Sequence, residues 1–423
     1  MLSRLSREPI QLQFSRKFAA ATGTAKKTLE NPKRQNVVLI DAVRTPFCVS
    51  GTAFKDLMAV DLQRAALQGL IKKTNVDFKD VGHLTCGTVI QESRTSNIAR
   101  EAWLTAGFPD TVPANTVTLA CISSNVAVTQ LMGMFAAGYC EAGIAGGIIA
   151  TNIMKPELPG IAEYTSGETM GHSGDRLAAA FGVSRRESDE FALRSHALAD
   201  EATKKGYLSD IVPVFINGKK AETITVDNCI RPSTMEKLSQ LKPAFIKPHG
   251  TVTPGNASPL TDGGSAALIS TEEFAKKKGF KPKAYLRDFM FVSQDPKDQL
   301  LLSPAYVIPR LLEKNGLTLN DVDVFEIHEA FAGQVLANLN AIDSDYFCKE
   351  YMKRSGKFGR LPIEKLNKWG GSLSLGHPFG ATGVRLISHA ANRLQKEGGQ
   401  FALIAACAAG GHGVGMLVEA YPK

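Results

Sequence analysis

Two cysteines and two histidines occupy positions in this sequence where their side chains could carry out chemistry. Cys121 ends the apolar run TVTLAC, and Cys407 ends the apolar run FALIAAC before a glycine-rich turn. His328 follows the strand-like run DVDVFEI, and His377 lies in the glycine-framed segment GHPFGATG. A thiol with a neutral imidazole beside it is suited to nucleophilic catalysis, because the imidazole can accept the thiol proton.

The local sequence gives a physical reason to consider Cys121 as a nucleophile. A buried strand ends there and a helix begins, and we expect the free N–H groups and partial positive charge of the helix N-terminus to lower the pKa of the thiol. Glycines near the other residues permit close backbone approach or let N–H groups converge on an oxyanion. They are Gly376, Gly380 and Gly383 around His377, and Gly410, Gly411 and Gly413 after Cys407.

Each of these residues also has an ordinary structural interpretation. Buried free cysteines usually pack as small hydrophobic side chains, and histidines after strands are often hydrogen-bonded surface groups. Cys407 and His412 could bind zinc, but no second cysteine/histidine pair has ligand spacing. The glycine loops match neither a phosphate-binding GK[ST] loop nor a GxGxxG dinucleotide fingerprint. Taken singly, the residues leave packing, metal binding and catalysis open.

The composition excludes some classes of protein. The chain has 423 residues, of which 44% are hydrophobic and 21% charged, and its net charge is +8. No Lys/Arg block is interleaved with aromatic residues, so we expect no binding to nucleic acid. Residues 111–140 carry no charge, but their polar side chains indicate a strand and a buried helix rather than a membrane span. The seven cysteines form no CxxC pair, and we expect free thiols.

The N-terminus has the composition of a targeting segment. Residues 1–33 are rich in serine, leucine and basic side chains, and Glu8 is the one acidic residue among the first 27. This pattern is typical of a mitochondrial presequence, with removal predicted near residues 18–21. A basic N-terminus without fixed structure has the same composition. We therefore predict a mitochondrial location, in the matrix.

The order of the periodic segments predicts a duplicated α/β fold. Strand-like segments of period 2 alternate with helical segments in residues 34–150, and the same order returns in residues 283–423. Residues 250–282 return to the apolar strand character of the first half and are predicted to complete it. Residues 151–249 open on KPELPG, continue with helical stretches, and are predicted to form an inserted loop domain.

The motifs of the chain resemble those of the thiolase family. The resemblance covers residues 36–423 and rests on VRTPF (43–47), TLACISS around Cys121, SHALADEA (195–202), GNAS (255–258), HEAF (328–331), GHPFGATG (376–383) and CAAGGHG (407–413). It implies the thiolase fold, in which two βαβαβαββ halves form layers in the order α-β-α-β-α. Each half would contain a mixed five-stranded sheet, and the two sheets would enclose buried helices.

The resemblance also implies a role for each matching position. Cys121 would attack the 3-keto carbon and hold the acyl chain as a thioester, while His377 would take its proton and later help bind a thioester oxyanion. Cys407 would protonate the leaving acetyl-CoA enolate and then activate the incoming CoA thiol. His328, where the family usually has asparagine, would hold a water in a first oxyanion hole. The backbone N–H groups of Cys121 and Ala409 would form a second hole.

Substrates and partners follow from the same resemblance. HEAF and NKWGGSLSLGHPFGATG are similar to segments of mitochondrial thiolases that cleave medium- and long-chain 3-ketoacyl-CoA in fatty acid β-oxidation. Those enzymes work in a complex with a hydratase/dehydrogenase alpha subunit, in association with the inner membrane. The alternatives are a short-chain acetoacetyl-CoA thiolase and a catalytically impaired structural or lipid-binding subunit.

Binding sites and assembly are implied in the same way. The family pairs through its first half, which implies at least a homodimer. Coenzyme A would be the cosubstrate, with no metal or other cofactor. Arg231 in IRPS and Ser258 in GNAS are candidate CoA contacts, although a surface arginine and a turn serine would explain them equally simply.

The chain departs from the family pattern after the strand AGIAGGI (142–148). Thiolases usually continue with an acidic motif containing Met and Ser, and with a long segment over the acyl tunnel. Here the sequence reads AGGIIATNIMKPELPGIAEYTSGETMGHS, so the motif and part of that segment are absent. The resemblance places a membrane-facing hairpin in this region, so the shortening bears on membrane association and tunnel shape. It leaves the four catalytic positions in place.

Overall fold

The computed structural model describes residues 27, 29, 35–91, 95–150, 162–217 and 221–422. The predicted presequence, residues 1–33, lies outside these ranges except for Lys27 and Leu29. Residues 151–161 of the shortened region lie outside them as well. All seven cysteines are among the described residues and are free thiols, as expected from their spacing.

Twelve strands are present in the described part of the chain. Several are buried along their whole length, because helices cover both faces of the sheet that they form. Their bounds are β1 (Val37–Arg44), β2 (Cys48–Val49), β3 (His83–Thr88), β4 (Ala114–Val117), β5 (Ala142–Ile149), β6 (Val214–Ile216), β7 (Glu222–Ile224), β8 (Thr261–Thr271), β9 (Ala284–Ser293), β10 (Val324–Ile327), β11 (Phe401–Ala408) and β12 (His412–Ala420).

The same residues form twelve α-helices, several of which begin at a capping side chain. Ser184, for example, accepts the N–H of Glu187, whose carboxylate accepts the N–H of Ser184 in return. The helices are α1 (Ala59–Thr74), α2 (Ile98–Thr105), α3 (Ser123–Ala136), α4 (Met170–Ala180), α5 (Arg185–Lys204), α6 (Met235–Ser239), α7 (Glu272–Lys278), α8 (Ser303–Lys314), α9 (Ala332–Ile342), α10 (Asp345–Glu350), α11 (Ser372–Leu375) and α12 (Thr382–Glu397).

The main sheet repeats one topology twice, as the order of the sequence segments predicted. Strands of the first half lie in the order β1-β8-β5-β3-β4, and those of the second half lie in the order β9-β12-β11-β10. Each half combines antiparallel ladders with parallel ones, β3 with β4 and β5 in the first and β10 with β11 in the second. A short antiparallel pairing of β1 with β9, over Val38–Tyr285 and Leu39–Ala284, joins the halves into one sheet. The duplicated α/β fold is confirmed.

The second half differs from the predicted five strands. An isolated parallel bridge between Phe325 and Leu366 occupies the position that β4 holds in the first half. Beyond this bridge, the side chain of Asn367 makes the hydrogen bonds that a neighbouring strand would otherwise make. It accepts the N–H of Ile327 at 2.9 Å and donates to the Ile327 carbonyl at 2.8 Å. The expected fifth strand is therefore reduced to one bridge.

Helices and strands alternate in five layers. α1 and α2 pack on the outer face of the first-half strands, and α8 and α9 pack on the outer face of the second-half strands. α3 and α12 lie in a shared apolar cluster with strands of both halves. β1 shows the alternation that results, since Val38 and Val43 join the outer cluster while Leu39 and Ala42 join the central one. The predicted α-β-α-β-α arrangement is confirmed.

The uncharged region, residues 111–140, folds as a strand and a buried helix, which are β4 and α3. α3 carries no acidic or basic side chain in its first or last turn, and eight of its fourteen residues are buried. Among the described residues, no helix is long and apolar enough to cross a membrane. The absence of charge in this region thus reflects burial in the centre of the protein.

A buried ion pair ties the inserted segment to the first half. The guanidinium of Arg44, in VRTPF, donates to both carboxylate oxygens of Asp227 at 2.6 and 2.9 Å, and to Asp210 at 3.3 Å. Burial alone would lower the pKa of Arg44, but the two carboxylates together raise it by more than burial lowers it, so the net shift is upward. The arginine is therefore charged and fully paired inside the protein.

We predict that Arg44→Met destabilises the protein by about 3–5 kcal/mol, because it leaves the buried carboxylate of Asp227 without its ion-pair partner and removes one from Asp210. The measurement is the urea unfolding midpoint at a fixed protein concentration. Arg186→Met is the matched control, since Arg186 pairs with Glu190 on the exposed face of α5 and should leave the midpoint nearly unchanged. Equal midpoints for the two variants would contradict this role for Arg44.

Candidate active site

Cys121 lies in a tight turn between β4 and α3. Ala120–Ile122 form one turn of 3-10 helix, and α3 begins at Ser123. Ala120 has a φ of 45°, in the left-handed region that alanine rarely adopts. The Ser123 hydroxyl fixes the turn, because it accepts the N–H of Leu119 at 2.8 Å and donates to the Ala120 carbonyl at 2.7 Å. Such strain beside a candidate nucleophile is common at functional sites.

His377 precedes α12 and is hydrogen-bonded to Thr382. Its Nδ1 is 2.7 Å from Oγ1 of Thr382, and the Pro378 carbonyl lies 3.0 Å from the same oxygen. When the hydroxyl donates to that carbonyl, Nδ1 of His377 is the donor and Nε2 carries the lone pair. Burial, together with the nearby His328 and Arg385, lowers the pKa of His377 well below its usual value. The ring is neutral and keeps a free acceptor, as a general base requires.

The structure brings Cys121, His328 and His377 together. The thiol sulfur and ring nitrogens lie within 4.8 Å of one another. The two imidazole rings are 4.0 Å apart between centroids, with 42° between their planes. Nε2 of His328 and Nε2 of His377 are both buried and have no hydrogen-bond partner in the described part of the chain. Two unpartnered polar atoms beside a thiol indicate a site that is completed by a substrate or an ordered water.

His328 is held by a hydrogen-bond chain that starts at a buried arginine. Its Nδ1 lies 2.9 Å from Oγ of Ser372, and Nη2 of Arg385 donates to the same oxygen at 2.8 Å. Arg385 is itself completely buried, with Nη1 3.6 Å from the carboxylate of Glu326. Burial and, second, the charge of Arg385 lower the pKa of His328 to about 3. His328 is therefore neutral at physiological pH.

Cys407 approaches Cys121 from the end of β11. A turn at Ala409–Gly411, with Gly410 at a φ of 82°, reverses the chain into β12 and pairs Cys407 with Gly413. Burial, and then the charge of Cys121, raises the pKa of the Cys407 thiol above its usual value. The electrostatic coupling between the two sulfur atoms disfavours ionising both at once. Loss of the proton from one thiol therefore makes loss of the proton from the other less favourable.

The expectation that Cys121 has a lowered pKa is wrong, although the backbone N–H groups at the turn act in the predicted direction. Burial raises the pKa of this thiol to about 12. The backbone N–H groups of Cys121 and Ala409 lower it, but the loss of hydration is the larger effect. Both thiols are protonated in the resting protein at neutral pH. Cys121 therefore depends on a base, and the nearest acceptor is a histidine of the cluster described above.

The backbone N–H groups of Cys121 and Ala409 both act on the Cys121 thiol, and each lowers its pKa. They come from opposite halves of the molecule, one before α3 and the other after β11. An oxyanion that develops on a carbon bound to this sulfur would lie close to both donors. This geometry is compatible with the predicted second oxyanion hole, which stays a prediction.

Ser258, one of the two predicted CoA contacts, borders the site through its backbone. Its N–H donates to the Ala330 carbonyl in the HEAF segment at 2.9 Å, and the side chain is half-buried. The neighbouring Leu260 forms a parallel bridge with His377. GNAS and the residues after it therefore lie along the segments that carry both histidines.

Arg231, the other predicted contact, lies further out. Its side chain is exposed, and its backbone N–H donates to Nδ1 of His196 at 3.0 Å. The same segment approaches the His377 turn, because a Cβ added to Gly376 would come within 3.2 Å of Sγ of Cys229. Arg231 thus lies on the surface in a segment that approaches this turn, and in the described residues its guanidinium is not hydrogen-bonded to the catalytic candidates.

A metal ion is another ligand that the central cluster could hold. One thiolate and two imidazole nitrogens are ligands that Zn²⁺ prefers. The positive charge of Arg385, however, acts on both histidines and opposes a dication between them. The alternative pair from the sequence, Cys407 with His412, has no part in this cluster.

Sequence reasoning missed the residues that orient the two histidines. Ser372, Thr382 and Arg385 flank His377 in the segment GSLSLGHPFGATGVR. The signal was present, since each is a hydrogen-bonding side chain in a stretch of glycine and apolar residues. Glu163 was missed too; its carboxylate accepts the N–H of Gly410 at 2.7 Å.

A thiol with a neutral imidazole acceptor, a second thiol and a convergent pair of N–H groups are what cysteine-dependent acyl transfer requires. The family model described as "Thiolase, N-terminal domain" matches residues 37–149 and 149–273, and "Thiolase, C-terminal domain" matches residues 280–420. The chain therefore belongs to the thiolase family of acyltransferases. The N-terminal match is split at residue 149, where the sequence departs from the family pattern.

Similar proteins agree with this assignment. A probable 3-ketoacyl-CoA thiolase of Caenorhabditis elegans is 65% identical over 440 residues, covering 96% of this chain and 97% of that protein. The mitochondrial trifunctional enzyme subunit beta of Bos taurus is 55% identical over 457 residues, covering 99% and 96%. The crystal structure of human mitochondrial 3-ketoacyl-CoA thiolase in complex with CoA superposes with a TM-score of 0.81 at 30% identity, covering 92% and 98%.

We predict that acid destabilises the protein through its buried neutral histidines. The pKa of His328 is lowered to about 3 in the folded protein, so between pH 6.5 and 3 only the unfolded chain binds this proton. The contribution of His328 to the free energy of unfolding is fully present above pH 6.5. Below that pH it decreases by about 1.4 kcal/mol per pH unit.

Urea unfolding at several pH values measures this dependence. His328→Asn should flatten the loss of stability between pH 6.5 and 4, because asparagine does not titrate. His249→Asn, at an exposed position, should keep the wild-type slope. A slope that His328→Asn leaves unchanged would show that this histidine is already protonated in the folded state.

Proposed function

We propose that this chain is a 3-ketoacyl-CoA thiolase that cleaves medium- and long-chain 3-ketoacyl-CoA with CoA, giving acetyl-CoA and a shortened acyl-CoA. The observation that carries the proposal is the cluster of Cys121 with the lone pair of His377, next to the second thiol of Cys407. The names of the similar proteins support the substrate class.

In the first half-reaction, the Cys121 thiol gives its proton to Nε2 of His377 as the sulfur attacks the 3-keto carbon. The oxyanion accepts hydrogen bonds at the first oxyanion hole, where His328 and a water would lie. The bond between the α and β carbons then breaks, and its electron pair forms the enolate of acetyl-CoA. Cys407 protonates that enolate, which leaves an acyl thioester on Cys121 and a thiolate at Cys407.

In the second half-reaction, the Cys407 thiolate takes the proton of the CoA thiol, whose sulfur attacks the thioester carbon. The tetrahedral oxyanion receives the N–H groups of Cys121 and Ala409. Collapse breaks the bond to Cys121, releases the shortened acyl-CoA, and returns the proton from His377 to the Cys121 sulfur. Both thiols and the neutral imidazole are restored, so no metal or redox cofactor is needed, and CoA is the cosubstrate.

The setting of the reaction is proposed from the relatives and the composition. We propose a location in the mitochondrial matrix, in fatty acid β-oxidation, because a similar protein is named mitochondrial trifunctional enzyme subunit beta. That name also supports a complex with a hydratase/dehydrogenase alpha subunit. Association with the inner membrane belongs to the same proposal, and it depends on the region after β5 that is shortened here.

We also propose a homodimer formed through the first half. β4 is one of the two edge strands of the main sheet in the described part of the chain, and all four of its residues are half-buried. An edge strand presents unpaired N–H and C=O groups that a second copy can pair with. Size-exclusion chromatography with light scattering tests this assembly.

We predict an acyl-enzyme at Cys121. The purified protein is incubated with a long-chain 3-ketoacyl-CoA without free CoA and examined by intact and peptide mass spectrometry. The expected result is an acyl adduct, shorter than the substrate chain by two carbons, on the peptide that contains Cys121, and its release when CoA is added. Cys121→Ala should form none, whereas Cys86→Ala, at a buried cysteine in β3, should form it.

The chain length of the substrate separates the alternatives. An adduct from acetoacetyl-CoA but not from the long-chain substrate would indicate a short-chain thiolase. Failure with both substrates in folded protein would contradict the enzyme and leave a structural or lipid-binding subunit.

We propose Arg231 and Ser258 as CoA contacts and predict that Arg231→Ala raises the KM for CoA about threefold to tenfold. An exposed charged contact with a phosphate contributes roughly 1 kcal/mol. Steady-state kinetics should show little change in kcat, because Arg231 does not touch the reacting atoms. Arg186→Ala, at another exposed arginine, is the control. An equal rise in the KM for CoA in both variants would show a general effect of surface charge and would contradict a contact at Arg231.

A further inference from the structure

We propose that Ser372 and Arg385 are positioning residues that fix His328 in the tautomer protonated at Nε2, so that His328 donates a hydrogen bond into the site. This inference rests on the proposed function, since it specifies what His328 does there. Neither residue touches the reacting atoms: Ser372 and Arg385 lie behind the histidine ring, on the side of Nδ1.

Counting hydrogens along the chain gives the direction of each bond. A guanidinium has donors and no acceptor, so Nη2 of Arg385 donates to Oγ of Ser372 over 2.8 Å. The serine hydroxyl then has one hydrogen left. Nδ1 of His328, at 2.9 Å, is the one acceptor that the described residues offer it. If the hydroxyl donates to Nδ1, the proton of a neutral imidazole must be on Nε2.

The opposite direction is unfavourable. If Nδ1 of His328 donated to Ser372, the serine oxygen would accept two hydrogen bonds and its own hydrogen would be buried without a partner. Ser372 is completely buried, and an unsatisfied buried donor costs about 1–3 kcal/mol. That difference corresponds to a ratio of roughly 5 to 150 in favour of the tautomer protonated at Nε2.

His377, by contrast, can adopt the other tautomer. The hydroxyl of Thr382 has a second acceptor in the Pro378 carbonyl, and when it donates there it accepts from Nδ1 of His377. The two neighbouring rings thus present complementary atoms, a donor at Nε2 of His328 and an acceptor at Nε2 of His377. One ring can receive the thiol proton while the other stabilises the oxygen that becomes negative.

The same assignment disfavours metal capture. With both Nε2 atoms unprotonated, Cys121, His328 and His377 would offer Zn²⁺ three ligands within 4.8 Å. A proton on Nε2 of His328 removes one ligand, and the positive charge of Arg385 adds repulsion. Loss of the Ser372 hydroxyl should therefore weaken the donor and also make the cluster a better zinc site.

The first experiment is ¹⁵N NMR of the full chain with labelled histidine, which needs no variant and no activity. His328 is assigned by its loss in His328→Asn. The expected spectrum gives His328 a protonated Nε2 and an unprotonated Nδ1, and gives His377 the reverse. Protonation of His328 at Nδ1 would overturn the proposal, whether or not the protein proves to be a thiolase.

The second experiment compares Ser372→Ala, Ser372→Thr and Ser374→Ala. Ser374 lies in the same short helix and is hydrogen-bonded to Ser195, not to the histidines, so it controls for loss of a buried hydroxyl. We expect Ser372→Ala to lower kcat at least tenfold, since loss of one oxyanion donor costs about 10²–10³. Ser372→Thr keeps the hydroxyl and should retain activity within a few-fold, as should Ser374→Ala.

Zinc inhibition gives a readout that simple loss of packing does not produce. Zn²⁺ should inhibit Ser372→Ala at concentrations at least tenfold lower than the wild type, and Ser374→Ala should behave as the wild type. Equal kcat and equal zinc sensitivity in Ser372→Ala and the wild type would overturn the proposal. If the wild type forms no acyl-enzyme, the proposed function fails, while the NMR result still decides the tautomer.

Discussion

The separation of Cys121 from His377 depends on the close contact of two buried helices. α3 begins two residues after Cys121, and α12 begins five residues after His377. They meet at Gly383, where any side chain would clash with Asn125, and Oγ of Ser124 accepts the N–H of Val384 at 3.1 Å.

This helix contact matters because the sheet does little to join the halves. β1 and β9 share only two residue pairs. A second close backbone contact lies next to the one at Gly383. A Cβ on Gly147 of β5 would clash with the carbonyl of Gly380, in the turn before α12. Glycine is needed at such places because the backbones touch. Residues from the two halves thus reach one site through backbone contact rather than through strand pairing.

Burial then decides the charge state of the site. Two imidazoles and two thiols in a dry environment are most stable when neutral, and the directions of their pKa shifts agree with this. The fixed positive charge lies behind them, at Arg385, whose countercharge Glu326 is shared with Arg393. The resting site is therefore uncharged where a substrate would bind, but its surroundings favour negative charge that would develop during a reaction there.

The parts of this structure that sequence could predict are those governed by local periodicity and by motifs. Alternating apolar runs predicted strands such as β5 and β11, and the repeated order predicted the duplication. Cys121 and His377 could be named because glycines and strand ends surround them. The fifth strand of the second half could not be foreseen, since it depends on whether Asn367 caps Ile327 in place of a ladder.

The pKa of Cys121 could not be predicted for a related reason. The helix N-terminus is visible in the sequence, whereas the depth of burial depends on how the chain folds over the site. Ser372 and Arg385 illustrate the same limit. Ser372 is hydrogen-bonded to His328, 44 residues away in the chain, and Arg385 is hydrogen-bonded to Ser372. The periodicity of the sequence does not predict such long-range contacts.

The shortened connection after β5 bears on the site through one contact. The described chain resumes at residue 162, and the carboxylate of Glu163 accepts the N–H of Gly410, one residue after Ala409. Gly410 has a φ of 82°, and glycine can adopt many other backbone conformations, so this hydrogen bond stabilises the turn. The same turn contains Ala409, whose N–H lowers the pKa of the Cys121 thiol. Cys121 follows β4, His328 follows β10, Cys407 lies in β11, and His377 lies in the turn before α12. The shortened connection contains none of these four residues, and its remaining part still supports the turn on which an oxyanion would depend.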